Sequence, residues 1–225
     1  LLAIAKIENG RIIYYGGKAD NGSVTVKRAS FSIYTVVENN VEFLDLASVN
    51  AWAGREIKVA AAKGIVEGRG DGNYDPNAYV TRAEFAKMIA KALGIDGGKA
   101  VENFADVTET DWFQSYVAYV QKWGIANGRT PSTFDPHAKI TRAEMATMIA
   151  RGLQNVAKIP NATDTETVLA RFADKAEIPA SLRSGVAFAA DLGIIQGLPD
   201  GTFAPNENTT RAQAAVMIYR LLSQL

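Results

Sequence analysis

This sequence predicts a mainly α protein of three helix-loop-helix repeats, preceded by a short β-rich segment. The repeat is read from Thr81-Arg82-Ala83-Glu84, which returns as Thr141-Arg142-Ala143-Glu144 and, with one change, as Thr210-Arg211-Ala212-Gln213. Each copy opens an apolar helical run. The register holds around all three, with a Gly 17 positions before the Thr (Gly64, Gly124, Gly193) and a Pro five positions before it (Pro76, Pro136, Pro205). The β segment is read from Arg11 to Tyr15, Ser23 to Lys27 and Phe31 to Val37, rich in β-branched and aromatic residues.

In chain order, Asn9-Gly10 and Asn21-Gly22 are the turn signals of the β segment, because a two-residue hairpin turn needs positive φ at both central positions. So few strands do not stand alone, so residues 1–40 are expected to be the tail of an upstream β domain that docks on the helical body. The boundary falls near Glu38-Asn39-Asn40, and the repeats occupy residues 41–100, 101–160 and 161–225. Each first helix is expected to run from about Trp52, Trp112 and Ser181 to the residues before Gly64, Gly124 and Gly193, glycines suited to the left-handed position that ends a helix. The loop Gly68-Arg69-Gly70-Asp71-Gly72-Asn73-Tyr74-Asp75-Pro76 follows, matched by Gly197 to Pro205 in the third repeat. In the second, Pro131-Ser132 replaces Asp-Gly, so that turn needs another geometry. Tyr74, Phe134 and Phe203 are expected to plug the core. In each second helix the apolar residues recur at amphipathic spacing: Phe85, Met88, Ile89, Ala92 and Leu93, then Ala214, Met217, Ile218, Leu221 and Leu222 in the third.

Within the tetrapeptide, Thr followed three residues later by Glu or Gln is a capping box, which gives Thr81, Glu84, Thr141, Glu144, Thr210 and Gln213 a structural job. Arg at the first helical position opposes the helix dipole at a cost of roughly 0.3 to 1 kcal/mol. Arg82, Arg142 and Arg211 are therefore candidates for binding an anion, each beside free helix N-terminal amides. The competing reading is a salt bridge to Asp45, Asp106 and Asp174 in the recurrent Phe-X-Asp segments.

Composition narrows the classes. Lys plus Arg and Asp plus Glu number 24 each, which removes the electrostatic footprint of a general nucleic-acid binder. With no Cys there are no disulfides, thiol nucleophiles or thiolate metal sites, and the single histidine, His137, cannot build a histidine site. The Asp71 to Asp75 loop lacks EF-hand spacing. Neither a cofactor nor a metal is called for. No apolar stretch approaches the ~20 residues that span a bilayer, so no membrane insertion is expected. Leu1 to Ala5 lacks the features of a signal peptide, and the chain, not opening on Met, reads as a fragment of something longer. Arg69-Gly70-Asp71 spells a cell-adhesion tripeptide, read here as a coincidence of a glycine turn.

The register Phe-X-Asp, Trp, Gly-Ile, Gly-X-X-Asp-Gly-X-Tyr/Phe-X-Pro, Thr-Arg-Ala-Glu resembles the S-layer homology (SLH) domain, found in tandem threes on bacterial surface proteins. The resemblance covers residues 41–225. The β segment, more weakly, looks like the module that often precedes such repeats in cell-surface enzymes and adhesins. The resemblance implies a trefoil in which three repeats surround a pseudo-threefold axis, with inter-repeat grooves that bind an anionic secondary cell wall polymer. In the family that polymer commonly carries pyruvylated N-acetylmannosamine, so the anion would be a pyruvyl carboxylate. The implied contacts are Arg82, Arg142 and Arg211, with Gly70, Asp71 and Gly72 in repeat one and Asp200 and Gly201 in repeat three. Trp52 and Trp112 are added as stacking faces for a sugar ring; a core position is the competing reading. Ser181 holds the Trp position in repeat three, and Gln213 replaces Glu there, so two competent grooves and one degenerate one are expected, with Arg211 mattering least.

The expected function is non-enzymatic anchoring of a surface protein to the wall, outside the cell, with S-layer neighbours as further partners. The rivals are a protein scaffold for lattice assembly without glycan binding, and a glycosidase built on Glu84 and Glu144. Against the second stand their capping role and Gln213 in the third copy.

Overall fold

The computed structural model describes residues 1–26, 32–95 and 104–225. Two expected strand ends, Lys27 and Phe31, and the expected boundary at residues 100 and 101 lie outside these. Among the described residues there are seven α-helices and five short strands, so the chain is mainly helical with some strand.

The N-terminal segment forms β1 (Leu2–Glu8), β2 (Arg11–Tyr14), β3 (Lys18–Asp20), β4 (Ser23–Thr25) and β5 (Thr35–Glu38). β1 and β3 are additions to the sequence reading: Leu2–Glu8 carries a Lys and two Ala amid its apolar residues and shows no clean alternation. β5 begins four residues later than expected, since Ser32 to Tyr34 are not in a strand. The antiparallel sheet has the order β2-β1-β5, and β3 pairs with β4. Both Asn-Gly signals are tight turns. Asn9 and Gly10 have φ of 51° and 74° between Glu8 and its partner Arg11, and Asn21 and Gly22 have 45° and 79° between Asp20 and Ser23. The sheet docks on the end of the first helix: Lys63 Nζ donates to Gly17 O, and Asn39 Nδ2 donates to Ala62 O at 2.9 Å.

The helical body contains α1 (Asn50–Ala62), α2 (Arg82–Ala92), α3 (Gln114–Lys122), α4 (Arg142–Asn155), α5 (Thr165–Leu169), α6 (Arg183–Asp191) and α7 (Arg211–Leu222). The short α5 was not expected; it occupies the longer lead-in of repeat three, where the Asp164 side chain caps it by accepting from Thr167 N. Ser181 does not open a helix but sits in a 3₁₀ turn, Ala180–Leu182, ahead of α6. The first helices end as read, with Gly64, Gly124 and Gly193 at φ 70°, 62° and 69°.

The first and second helices of a repeat do not pair with each other, and within repeat three only the short α5 packs on α6. The second helix of each repeat packs on the first helix of the next, α2 on α3 and α4 on α6, and α7 returns to α1. The apolar stripes of these pairs feed one continuous core, including Ile57, Ile89, Val117, Ile149, Val186 and Ile218, all fully buried.

Ahead of each second helix the backbone strands also meet. Val80 N donates to Thr209 O, Thr209 N to Ile140 O, and Ile140 N to Val80 O, each at 3.0 Å, closing a ring. Its third member is a misfit. Thr209 is 0% exposed, and its hydroxyl has no hydrogen-bond partner among the described residues, where the matching positions carry Val80 and Ile140. Thr209→Val keeps the shape and removes the orphaned hydroxyl, so it should raise stability by about 1 kcal/mol and the melting temperature by roughly 2–4 °C in thermal denaturation. An unchanged or lower melting temperature would mean that the hydroxyl is satisfied in solution.

Candidate functional site

Each repeat loop is organised from its Phe-X-Asp segment. Asp45 accepts from the amides of Tyr74 (2.9 Å) and Asp75 (2.7 Å), Asp106 from Phe134 (2.8 Å) and Asp135 (2.7 Å), and Asp174 from Phe203 and Ala204 (2.7 Å each). These carboxylates clamp a left-handed residue in every loop, Asp75 and Asp135 at φ 60° and Ala204 at 56°, positions that nothing in the sequence advertised. Partial burial opposes ionisation of Asp45, but the two amide donors outweigh it and hold its carboxyl below the ordinary range. The preceding aromatics Tyr74, Phe134 and Phe203 are buried plugs. Tyr74 keeps its hydroxyl satisfied on Arg211 O at 3.1 Å, and burial pushes its pKa up to about 12.

All three capping boxes are complete: Thr81, Thr141 and Thr210 accept from the amides of Glu84, Glu144 and Gln213, whose side chains reach back to the Thr amides. Glu84 also pairs with Arg69 at 2.7 Å, and Glu144 with Arg129 at 3.2 Å. Repeat three loses both partners together, with Leu198 at the Arg position and Gln213 at the Glu.

The tetrapeptide arginines reach into the next repeat. Arg82 donates from Nε to Phe134 O (3.0 Å), from Nη2 to Asn127 O (3.1 Å) and from Nη1 to Glu144 (3.3 Å). Arg142 does the same to Phe203 O (2.8 Å) and Gln196 O (3.1 Å), and Arg211 to Tyr74 O (2.9 Å) and Glu67 O (2.6 Å). Each guanidinium also lies over the plug ring it serves, 4.7 Å from the Phe134 centroid, 5.2 Å from Phe203 and 4.4 Å from Tyr74. Arg82 and Arg142 are 5% exposed. Burial lowers the pKa of both, with the Glu144 charge opposing this at Arg82.

Two expectations are corrected here. The helix N-terminal amides are not free: Arg82 N and Ala83 N donate to Ala138 O and Pro136 O, Arg142 N and Ala143 N to Glu207 O and Pro205 O, and Arg211 N and Ala212 N to Ala78 O and Pro76 O. Nor do the arginines bridge to Asp45, Asp106 and Asp174, whose oxygens hold loop amides instead. The price of a cation at a helix start is offset by carbonyls from the neighbouring repeat.

The loop tips vary. Gly70, Asp71 and Gly72 are exposed and all have positive φ (105°, 52°, 76°). In repeat three Asp200 and Gly201 are exposed, and Asp200 accepts from Thr202 N (2.9 Å) and Thr202 Oγ1 (2.7 Å). In repeat two the Thr130 hydroxyl accepts the amides of Ser132 (3.3 Å) and Thr133 (3.1 Å), the other geometry that Pro131 requires. Two open clefts of about 400 Å³ flank the loops of repeats two and three, that of repeat two lined by Phe104, Asn127, Gly128 and Arg129 and that of repeat three by Arg171, Phe172, Gln196 and Gly197.

Trp52 and Trp112 are 49% and 55% exposed, outside the core. Cross-repeat pairing sets their company: Trp112, just ahead of α3, has Lys87 of α2 5.6 Å from its ring centroid, and Trp52 lies on α1 against α7. Trp112 thus shares a seam with Arg82, and Trp52 with Arg211. Ser181, which the linear register assigns to Arg211, lies beside α4, the helix of Arg142.

The profile of the S-layer homology domain matches residues 42–86, 103–146 and 171–215, more than half of the chain and in the three expected registers. The chain belongs to the SLH domain family. Curated relatives include an amylopullulanase of Thermoanaerobacterium thermosulfurigenes, 37% identical over 94% of this chain but only 11% of the relative. A cellulosome-anchoring protein of Acetivibrio thermocellus is 33% identical over 71% of this chain and 36% of its own length, and a surface layer protein of Brevibacillus choshinensis is 36% identical over 48% and 9%. This SLH chain therefore spans a minor part of each of these relatives.

Proposed function

We propose that this SLH chain anchors a surface protein to the bacterial cell wall, without catalysis, by binding an anionic secondary cell wall polymer, pyruvylated on N-acetylmannosamine, along the seams between repeats. The observation that carries the reading is the pair of half-exposed tryptophans at seams that also present cations, in a body whose other large apolar side chains in the helices are mostly buried. Aromatic faces stack on sugar rings, and the cations meet the carboxylate. Membership of the family accords with a place on the cell surface, and the relatives named for anchoring and for surface layers accord with the role. The helix pairs are taken to form a pseudo-threefold trefoil, a reading supported by the ring of hydrogen bonds through Val80, Ile140 and Thr209. Gly70, Asp71, Gly72, Asp200 and Gly201 would meet sugar hydroxyls from the loop tips. Arg82, Arg142 and Arg211 would serve the ligand chiefly by fixing those loops, with the Nη1 edge of Arg211 turned to the anion. Glu84 and Glu144 are committed to caps and ion pairs, which leaves a glycosidase no free carboxylate pair among them. Modest affinity at one seam would be multiplied on a polymer that repeats its epitope, on the order of 10² to 10⁴.

Calorimetry against purified wall polymer and the same polymer stripped of pyruvyl groups tests this. Binding of the intact polymer alone is the expected result. Equal binding would move recognition to the hydroxyls, and binding of neither would favour a protein scaffold.

A further inference from the structure

The three seams differ in a way that follows helix pairing and not repeat number. At the α2–α3 seam the exposed Trp112 stands against Lys87. At the α7–α1 seam Trp52 is exposed, and the Arg55 guanidinium lies 5.3 Å from the Tyr219 centroid across the pair. At the α4–α6 seam every one of these features is gone. The position matching Lys87 is Thr147, only 3% exposed, whose hydroxyl donates to Ala143 O at 2.8 Å and reaches Leu182 O at 3.4 Å. The position matching the tryptophans is Ser181. Gly185 lies so close that a Cβ there would stand 2.8 Å from Thr147 Oγ1 and 2.9 Å from its Cα, a contact no side chain tolerates. The matching residues on α1 and α3 are Glu56 and Tyr116, so the other two pairs do not meet in this way.

We propose that the α4–α6 seam, closed where Thr147 meets Gly185, binds no sugar, so that the chain carries two glycan sites, at α2–α3 and α7–α1, and Arg142 is a positioning residue only. This rests on the polymer-binding reading. It moves the silent site from Arg211, where the linear order of the repeats puts it, to Arg142, because Ser181 packs against the helix of repeat two. Two sites on opposite sides of repeat one would leave repeat two facing ligand through α3 alone.

The test is calorimetric titration of the whole chain with a monovalent pyruvylated N-acetylmannosamine glycoside. The wild-type chain should bind two ligands. Trp52→Ala and Trp112→Ala should each leave one, and the double variant none, with little change in melting temperature because both side chains are half exposed. In NMR the indole N–H signals of Trp52 and Trp112 should shift on titration, while that of Trp123, at the far end of α3, stays put. A third ligand on the wild-type chain, or binding that survives in the double variant, overturns the two-seam assignment while leaving polymer binding intact. No binding by the wild-type chain overturns both.

Discussion

Replacing Arg82 by Ala should lower the melting temperature on the order of 10 °C, corresponding to about 3 kcal/mol in a chain of this size. The substitution removes three hydrogen bonds from a charged donor and leaves the buried carbonyl of Phe134 and the part-buried carbonyl of Asn127 without their partner. It also uncovers one face of the Phe134 plug. Arg82→Lys should recover only a fraction, because an ammonium cannot reproduce the planar fork that serves Nε and Nη2 at once. Arg142→Ala should follow closely. Arg211→Ala should cost least in stability, since its bond to Glu67 O lies at the surface. Thermal denaturation of the three variants decides the point: a melting temperature unmoved by Arg82→Ala would remove the guanidinium from the architecture and return it wholly to the ligand.

A chain ending at Asn208, and so lacking α7, should lose cooperative unfolding altogether. In an open array of repeats, removal of the last helix costs only its nearest-neighbour contacts, and the first repeat should not notice. Here α7 packs chiefly on α1, the first helix of the body, and also meets α2. The helix contributes the buried Met217, Ile218 and Leu221, each worth roughly 1.5 to 3 kcal/mol, a sum comparable with the ~5–15 kcal/mol that holds a domain folded. It also carries Arg211, whose loss would release the first loop at Tyr74. The emission of Trp52 should then shift to that of a fully hydrated indole. A truncated chain that still melts cooperatively, with its helix signal reduced only by the share of α7, would show that the closure is dispensable.

Much of this was legible in the residues themselves. The capping boxes, the glycines that end the first helices, the aromatic plugs and the two Asn-Gly turns are local devices whose geometry depends on neighbours within a few positions, and a repeated tetrapeptide reports them three times over. The family was legible for the same reason. The missed elements are those without a local signature: β1 is held by its partners β2 and β5, α5 by one Asp164 cap, and the left-handed Ala204 by Asp174, 30 residues away.

Sequence alone therefore determined the repeat, its caps and its loops, and marked Arg82, Arg142 and Arg211 as residues that helix formation does not require. Only the tertiary structure decided what those arginines touch, because their acceptors are backbone carbonyls, which every residue has and no pattern reveals. It also decided which helix pair each tryptophan shares with which arginine. A linear register groups residues by repeat, whereas apolar faces are buried wherever the closing chain brings a complementary face, and here that face belongs to the next repeat.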